Sequence, residues 1–187
     1  LLEPIDPDDR WISRRLYEGD GDHRVAQELL LGVGGLRILR ALQIPIGTYH
    51  FNEGHALFAG LELVSEAMGR GRSFDEARAE VKQQVVFTTH TPVPAGNEIH
   101  PLERLMEQGA DLDRFSREQL KALGGDPFEM TPAALRLSRS ANAVAKLHGE
   151  TAQGMWAHVD GRAPIHTITN GVHLPTWQDR AMVTPST

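Results

Sequence analysis

Three short clusters hold the side chains of this 187-residue sequence best placed to act on a ligand: Asn52-Glu53-Gly54-His55, His90-Thr91-Pro92 and Asn170-Gly171-Val172-His173. The first sets an acid and an imidazole on a strand-to-helix turn. Free amides of the first helical turn add donors there, which suits hydrogen bonding to a polyhydroxylated ligand. Capping of that helix by Asn52 or Glu53 is the competing use. His90 follows a strongly apolar strand, where an imidazole could titrate, donate a bond or bind a metal. It could equally close the loop onto a backbone carbonyl, and Thr88, Thr89 and Thr91 supply hydroxyls suited to either role.

Other chemistries lack their residues. Nine histidines invite a metal, but no HExxH occurs and Glu53 and His55 are only two apart, so no metal site is expected. There is no G-x-S-x-G elbow, and without cysteine there is neither a thiolate nor a disulfide. Gly32-Val33-Gly34-Gly35 has neither dinucleotide nor P-loop spacing and sits inside a helical pattern. The three lysines are Lys82, Lys121 and Lys146; only Lys146, on an expected strand, lies near a strand end, and a packed or paired lysine is favoured over a Schiff base. Trp156 and Trp177 could stack on sugars, with core packing the default.

The elements that must position these residues alternate between helix and strand. A helix is expected from about His23 to Leu42, capped by Asp22, with Gly34-Gly35 marking close packing at a cost of roughly 1 kcal/mol per glycine. Thr48 to Phe51 reads as a strand and His55 to Met68 as a helix. Ser73 to Glu76 is a capping box opening a helix to about Gln84. Val85 to Thr89 is the clearest strand, stopped by Pro92 and Pro94. A helical excursion spans about 95–140. It holds a second capping box, Ser116 to Gln119, and a helix opened by Thr131 with Pro132. Asn142 to Leu147 is expected as a strand, Gly149 to Trp156 as a helix and Ile165 to Thr169 as a strand, with 182–187 frayed. Alternation of this kind implies parallel βαβ units in a doubly wound, Rossmann-like sheet. Ligands bind beyond the carboxyl ends of such strands, where all three clusters fall.

Composition bounds the setting. Hydrophobic residues at 40% and charged residues at 24% describe one ordinary globular domain. A net charge of -6 argues against a nucleic-acid surface. The longest apolar stretch, Leu29 to Leu42, is interrupted by Gly32, Gly34, Gly35, Arg37 and Arg40, so no membrane span is expected. Absent cysteine fits a cytoplasmic protein. The opening Leu1-Leu2-Glu3-Pro4 has no methionine or basic leader, which points to a start further upstream.

Taken in order, the clusters resemble a known family. Arg15-Leu16-Tyr17 through Gln27-Glu28-Leu29 and Tyr49 to Ala56 are similar to the bacterial and archaeal short-form α-glucan phosphorylases. So are Val86 to Glu98, Ala141 to Glu150 and Thr169 to Trp177, and together they cover nearly the whole chain. Animal glycogen phosphorylases differ in having an Asn-Asp-Thr-His-Pro stretch where this chain has Asn52 to Ala56. The acid here is therefore Glu53, one methylene longer.

The resemblance implies reversible phosphorolysis of α-1,4-glucan or maltodextrin by inorganic phosphate, giving glucose 1-phosphate with retention. It implies a GT-B fold of two Rossmann-like domains, of which 1–187 would be the later part of the first. His90 would place its main-chain carbonyl at the anomeric centre, where a dipole stabilises oxocarbenium-like charge. The His90 and Asn170 side chains would bond the sugar's primary hydroxyl. Asn52, Glu53 and His55 would form a polar wall, and Tyr17 to Asp20 would gate the site, with Asp20 facing substrate. Pyridoxal 5′-phosphate would be held by a lysine beyond Thr187, and a glycine-rich phosphate-facing loop would precede Leu1. No lysine here matches the cofactor lysine, so the chain alone is expected to be inactive and to expose apolar faces. Homo-oligomers are compatible with the resemblance; nucleic-acid and membrane partners are not expected. Two other readings are a nucleotide-sugar glucosyltransferase of glycogen-synthase type and a non-catalytic glucan-binding fragment.

Overall fold

The computed structural model describes residues 6, 9–15 and 21–179. Asp20, the Tyr17 to Asp20 gate and the 182–187 tail therefore lie outside the described residues. A 3-10 turn, Asp9–Trp11, precedes α1 (Gly21–Leu29), which passes through a π-helical segment, Leu30–Gly34, into α2 (Gly35–Ala41). The single helix expected from His23 is thus continuous but bulged. Asp22 lies in its first turn, pairing with Arg104 across the fold instead of capping. The close approach falls on Gly32, not on Gly34-Gly35. A Cβ at Gly32 would lie 2.6 Å from the Ala59 nitrogen and 2.9 Å from the Phe58 carbonyl carbon, whereas one at Gly35 would meet nothing within 4 Å.

β1 (Tyr49–Asn52) leads through a 3-10 turn, Gly54–Ala56, into α3 (Leu57–Gly69). α4 (Phe74–Lys82) carries the expected capping box: the Ser73 hydroxyl accepts from the Glu76 amide, and the Glu76 carboxylate from the Ser73 amide. β2 (Val85–Thr89) follows. The expected excursion holds a 3-10 turn, Pro94–Gly96, β3 (Ile99–His100), α5 (Leu102–Glu107), α6 (Arg117–Gly124), β4 (Phe128–Glu129) and α7 (Met130–Arg136). β3 and β4 form a short antiparallel ribbon, and the Ser116–Gln119 capping box opens α6 as read. Thr131 does not cap α7, which begins one residue earlier; its buried hydroxyl donates to Asn97 Oδ1 at 2.9 Å instead.

β5 (Ser140–Ala143) is shorter than expected, and α8 (Lys146–Met155) starts where a strand had been read. Lys146 is accordingly an exposed first-turn helical residue. From the first turn of α8, His148 Nδ1 accepts the Val144 amide just ahead of the helix at 3.3 Å. β6 (Ile165–Thr167) and α9 (Leu174–Trp177) complete the described elements.

β1, β2, β5 and β6 form one parallel sheet in that order, with Asn52, Thr88, Asn142 and His166 aligned across it. The order does not reverse among the described strands, so the doubly wound arrangement that had been expected is not seen there. One face buries Tyr49, Phe51, Val85, Phe87, Ala141 and Ile165 beneath helices, with α7 on β2 and α8 on β5 and β6. Strand alternation puts His50, Asn52, Thr88, Asn142 and His166 on the other face. There His50 Nε2 donates to the Thr88 hydroxyl at 2.7 Å, and Thr88 donates to Asn142 Oδ1 at 2.8 Å.

Candidate functional site

Because the strands are parallel and in register, the segments after β1, β2, β5 and β6 leave the sheet at one end. That end gathers Glu53, His90, Lys146 and Asn170. Glu53 continues the β1 ladder by donating its amide to the Thr88 carbonyl at 2.9 Å. Its backbone then turns at φ 66° and ψ -178°. The turn aims the carboxylate across to the next strand, where Oε1 accepts both the His90 amide and the Thr91 hydroxyl. Glu53 is therefore the brace that joins the first two clusters.

Asn170 is anchored by its amide to the Val144 carbonyl at 3.1 Å. His90, Asn52 and Asn170 are exposed. His173 bonds the Thr176 hydroxyl at 2.7 Å, at the start of α9. Trp156 is buried, as the packing default held, and Trp177 is 80% exposed. Lys82 lies before β2, at the opposite end of the sheet, with Nζ on the Gly161 carbonyl.

A cavity of about 270 Å³ opens beside Glu53, lined by Arg24, His55, Thr91, Asn97 and Glu98 among others. Beneath it lies a charged cluster that the sequence reading missed. Arg24 Nε is 2.7 Å from Glu98 Oε1 and 3.3 Å from Glu28 Oε1, and its Nη2 is 2.8 Å from His55 Nδ1. His55 Nδ1 also lies 3.2 Å from Glu28 Oε1. Arg24 and Glu28, four apart on an amphipathic helix, were the available signal. Glu98 carried no signal of its own, since 74 residues separate it from Arg24.

Glu28 is only 2% exposed. Burial pushes its carboxyl up to about 7; the His55 hydrogen bond opposes this and Glu98 adds to it. Burial acts on Glu98 too, yet hydrogen bonds from His55, Glu28 and Arg24 hold it well below the usual carboxylate range. Oε2 of both carboxyls is buried without a hydrogen-bond partner, and Glu98 Oε2 lies 3.8 Å from His55 Nδ1. Hydrogen bonds to Glu28 and Glu98 raise His55 to about 9 against the effect of burial. Donor atoms of Glu28, His55 and Glu98 fall within 4.8 Å of one another, close enough to hold a metal ion. The Arg24 guanidinium already supplies positive charge to both carboxylates, which leaves a cation little to gain.

The fold and site define an α/β protein whose pocket, lined by charged and polar groups of Arg24, Glu53, His55, Asn97 and Glu98, lies beyond the carboxyl ends of a parallel sheet. No protein-family profile matches the chain. It is similar to the maltodextrin phosphorylase of Thermococcus litoralis, at 42% identity over 179 residues, covering 91% of this chain and 22% of that protein. The glycogen phosphorylase of Mycobacterium tuberculosis is 42% identical over 192 residues, covering 90% of this chain and 22% of the relative. That of Aquifex aeolicus is 35% identical over 187 residues, covering 94% and 27%. The chain thus spans about a quarter of the length of these curated relatives. By sequence it is similar to a segment of these α-glucan phosphorylases.

Proposed function

We propose that this chain is the sugar-facing segment of an α-glucan phosphorylase of GT-B architecture, acting in the cytoplasm on α-1,4-glucan or maltodextrin. The reaction is reversible phosphorolysis to glucose 1-phosphate with retention. Glu53 carries the reading: its carboxylate holds the His90 main chain beyond the strand ends, where the reacting sugar would lie. The His90 carbonyl then faces the anomeric carbon, and its oxygen dipole stabilises positive charge in the transition state. The exposed His90 and Asn170 side chains bond the primary hydroxyl. Asn52, Glu53 and His55 make the wall, and Asp20 belongs to the gate.

Pyridoxal 5′-phosphate, whose phosphate exchanges protons with inorganic phosphate, is bound by residues outside this chain. Lys82 is tied to Gly161 at the far end of the sheet, and Lys146 is an exposed helical residue. This segment's share is to bind and orient the glucosyl unit and to stabilise its charge.

The test is glucose 1-phosphate release from maltodextrin and inorganic phosphate by the full-length protein carrying this segment. His90→Ala keeps the main-chain carbonyl but loses the side-chain bond to the primary hydroxyl, so it should cut kcat/KM by about tenfold. Transfer from ADP-glucose without phosphorolysis would sink the reading.

A further inference from the structure

Three cations converge at the end of the sheet opposite the sugar-facing pocket. A cavity of about 470 Å³ opens there, lined by Arg78 and Lys82 on α4, Arg136 at the end of α7 and the Asp160–Gly161 turn before β6, with Asp75 nearby. Lys82 Nζ donates to the Gly161 carbonyl at 2.7 Å. Arg136 donates from Nε to the Asp160 carbonyl at 3.1 Å and from Nη1 to the Leu123 carbonyl. These partners are main-chain dipoles, and among the described residues neither cation has a carboxylate at ion-pair distance. Arg78 has the exposed Asp75 at 3.4 Å, and its guanidinium lies 5.7 Å from the Phe74 ring centre. Burial pushes Lys82 and Arg136 down from their ordinary values, and repulsion from Arg78 adds to this at each; Asp160 and Glu129 oppose it at Arg136.

We propose that this cavity binds a phosphate dianion, free or as a monoester, through the remaining N–H donors of Arg78, Lys82 and Arg136. An ammonium has three donors and a guanidinium five, so Lys82 and Arg136 keep donors beyond those given to carbonyls. Three like charges around one partly desolvated space repel one another. An anion there turns that repulsion into attraction and gains charge-assisted hydrogen bonds. Against Asp75 and Asp160 the three cations leave one positive charge in excess, which suits a single small anion. The volume lies within the range of small-molecule sites, roughly 300–1,000 Å³, and leaves room for an ester group. α4 leads into β2, α7 into β5 and the 160–161 turn into β6, so the site sits at the amino ends of the strands and does not depend on the phosphorylase reading. A merely structural use of Lys82 and Arg136, tying that turn to its neighbours, would need neither Arg78 nor an anion.

The experiment uses the full-length protein and reads Lys82 itself: its acetylation by acetic anhydride, measured by mass spectrometry against the remaining lysines at constant ionic strength. Inorganic phosphate or glycerol 3-phosphate should slow that acetylation by about tenfold at about ten times its half-maximal concentration, while chloride leaves it unchanged. Arg78→Gln spares the carbonyl bonds of Lys82 and Arg136, and it should raise the half-maximal concentration about tenfold. Asp75→Asn removes a competing carboxylate and should lower it. Protection by either anion supports the site, and the stronger of the two separates monoester from free phosphate. Protection no greater than in chloride overturns the proposal, as does protection that Arg78→Gln leaves intact. If Arg78→Gln fails to fold, unchanged or weaker protection in Asp75→Asn overturns it. Absent phosphorolysis in the unmutated protein would defeat the functional reading instead, because Lys82 lies at the far end of the sheet from the sugar-facing pocket.

Discussion

Glu53 occupies a backbone region that side chains enter at a cost of about 1–3 kcal/mol, and it lies where β1 hands over to the candidate site. Glycine there would relieve the backbone but release the His90 amide. Glu53→Gly should therefore be more stable than Glu53→Ala by about 1 kcal/mol in denaturant unfolding, while both weaken maltooligosaccharide binding. Equal stability of the two variants would contradict the strain. The buried cluster makes its own prediction about pH. Glu28 and His55 both have folded values above their unfolded ones, 4.5 to about 7 and 6.5 to about 9. Each favours the fold when protonated, so its contribution is complete below the unfolded value and is lost as pH rises through the folded one. Glu98, held low, acts in the opposite sense only in acid, losing its contribution below 4.5. Thermal midpoints should fall from about pH 4.5 to about pH 9, and Glu28→Gln should flatten the lower part of the fall. A flat wild-type profile would remove the cluster from the stability account. Of these residues, His55 and Glu53 were legible from their place on a strand-to-helix turn. Arg24, Glu28 and Glu98 were not, because their meaning arises only when three segments meet.

Helix α1, its π-helical segment and α2 show how close packing sets what an element tolerates. At Gly32 a methyl group would collide with the main chain of α3, which cannot swing aside as a side chain would. Gly32→Ala should cost about 1–3 kcal/mol, measured as a lowered unfolding midpoint. Gly35→Ala, in open space with helical angles, should instead stabilise by about 0.5–1 kcal/mol. If both substitutions proved neutral, the packing assigned to Gly32 would be wrong. Sequence reading had placed the approach at Gly34-Gly35, since a glycine run shows that a Cβ is dispensable and not which member faces a neighbour. Both capping boxes were legible because the signal is local. β5 was overextended for the converse reason: Ala145 to Leu147 fit a strand or a helix locally, and α8 takes Lys146 and Leu147.

At the scale of the molecule, two apolar regions face solvent. Leu30, Leu31, Ile38 and Leu42 project from the first helical stretch at 53–64% exposure, and Leu147, Val172, Leu174 and Trp177 lie in the segments around α8 and after β6. Surfaces of this kind usually meet a partner or more of the same polypeptide. The chain made alone should self-associate in sedimentation velocity, and it should release no glucose 1-phosphate. A strict monomer with a sharp melt would contradict the first outcome, and turnover the second. Among the described residues no helix is long and apolar enough to cross a membrane.

Sequence by itself determined the alternation of helices and strands, both capping boxes, the strand ends at which the three clusters fall and the family they resemble. Each of these is written in local patterns of hydrophobicity, capping and motif order. Tertiary structure decided the rest: a sheet order without reversal, the contact at Gly32, the Glu53 brace on His90 and the Arg24–Glu28–His55–Glu98 cluster. Those depend on which distant segments share a low-dielectric interior, where a single proton or guanidinium changes the charge of every neighbour.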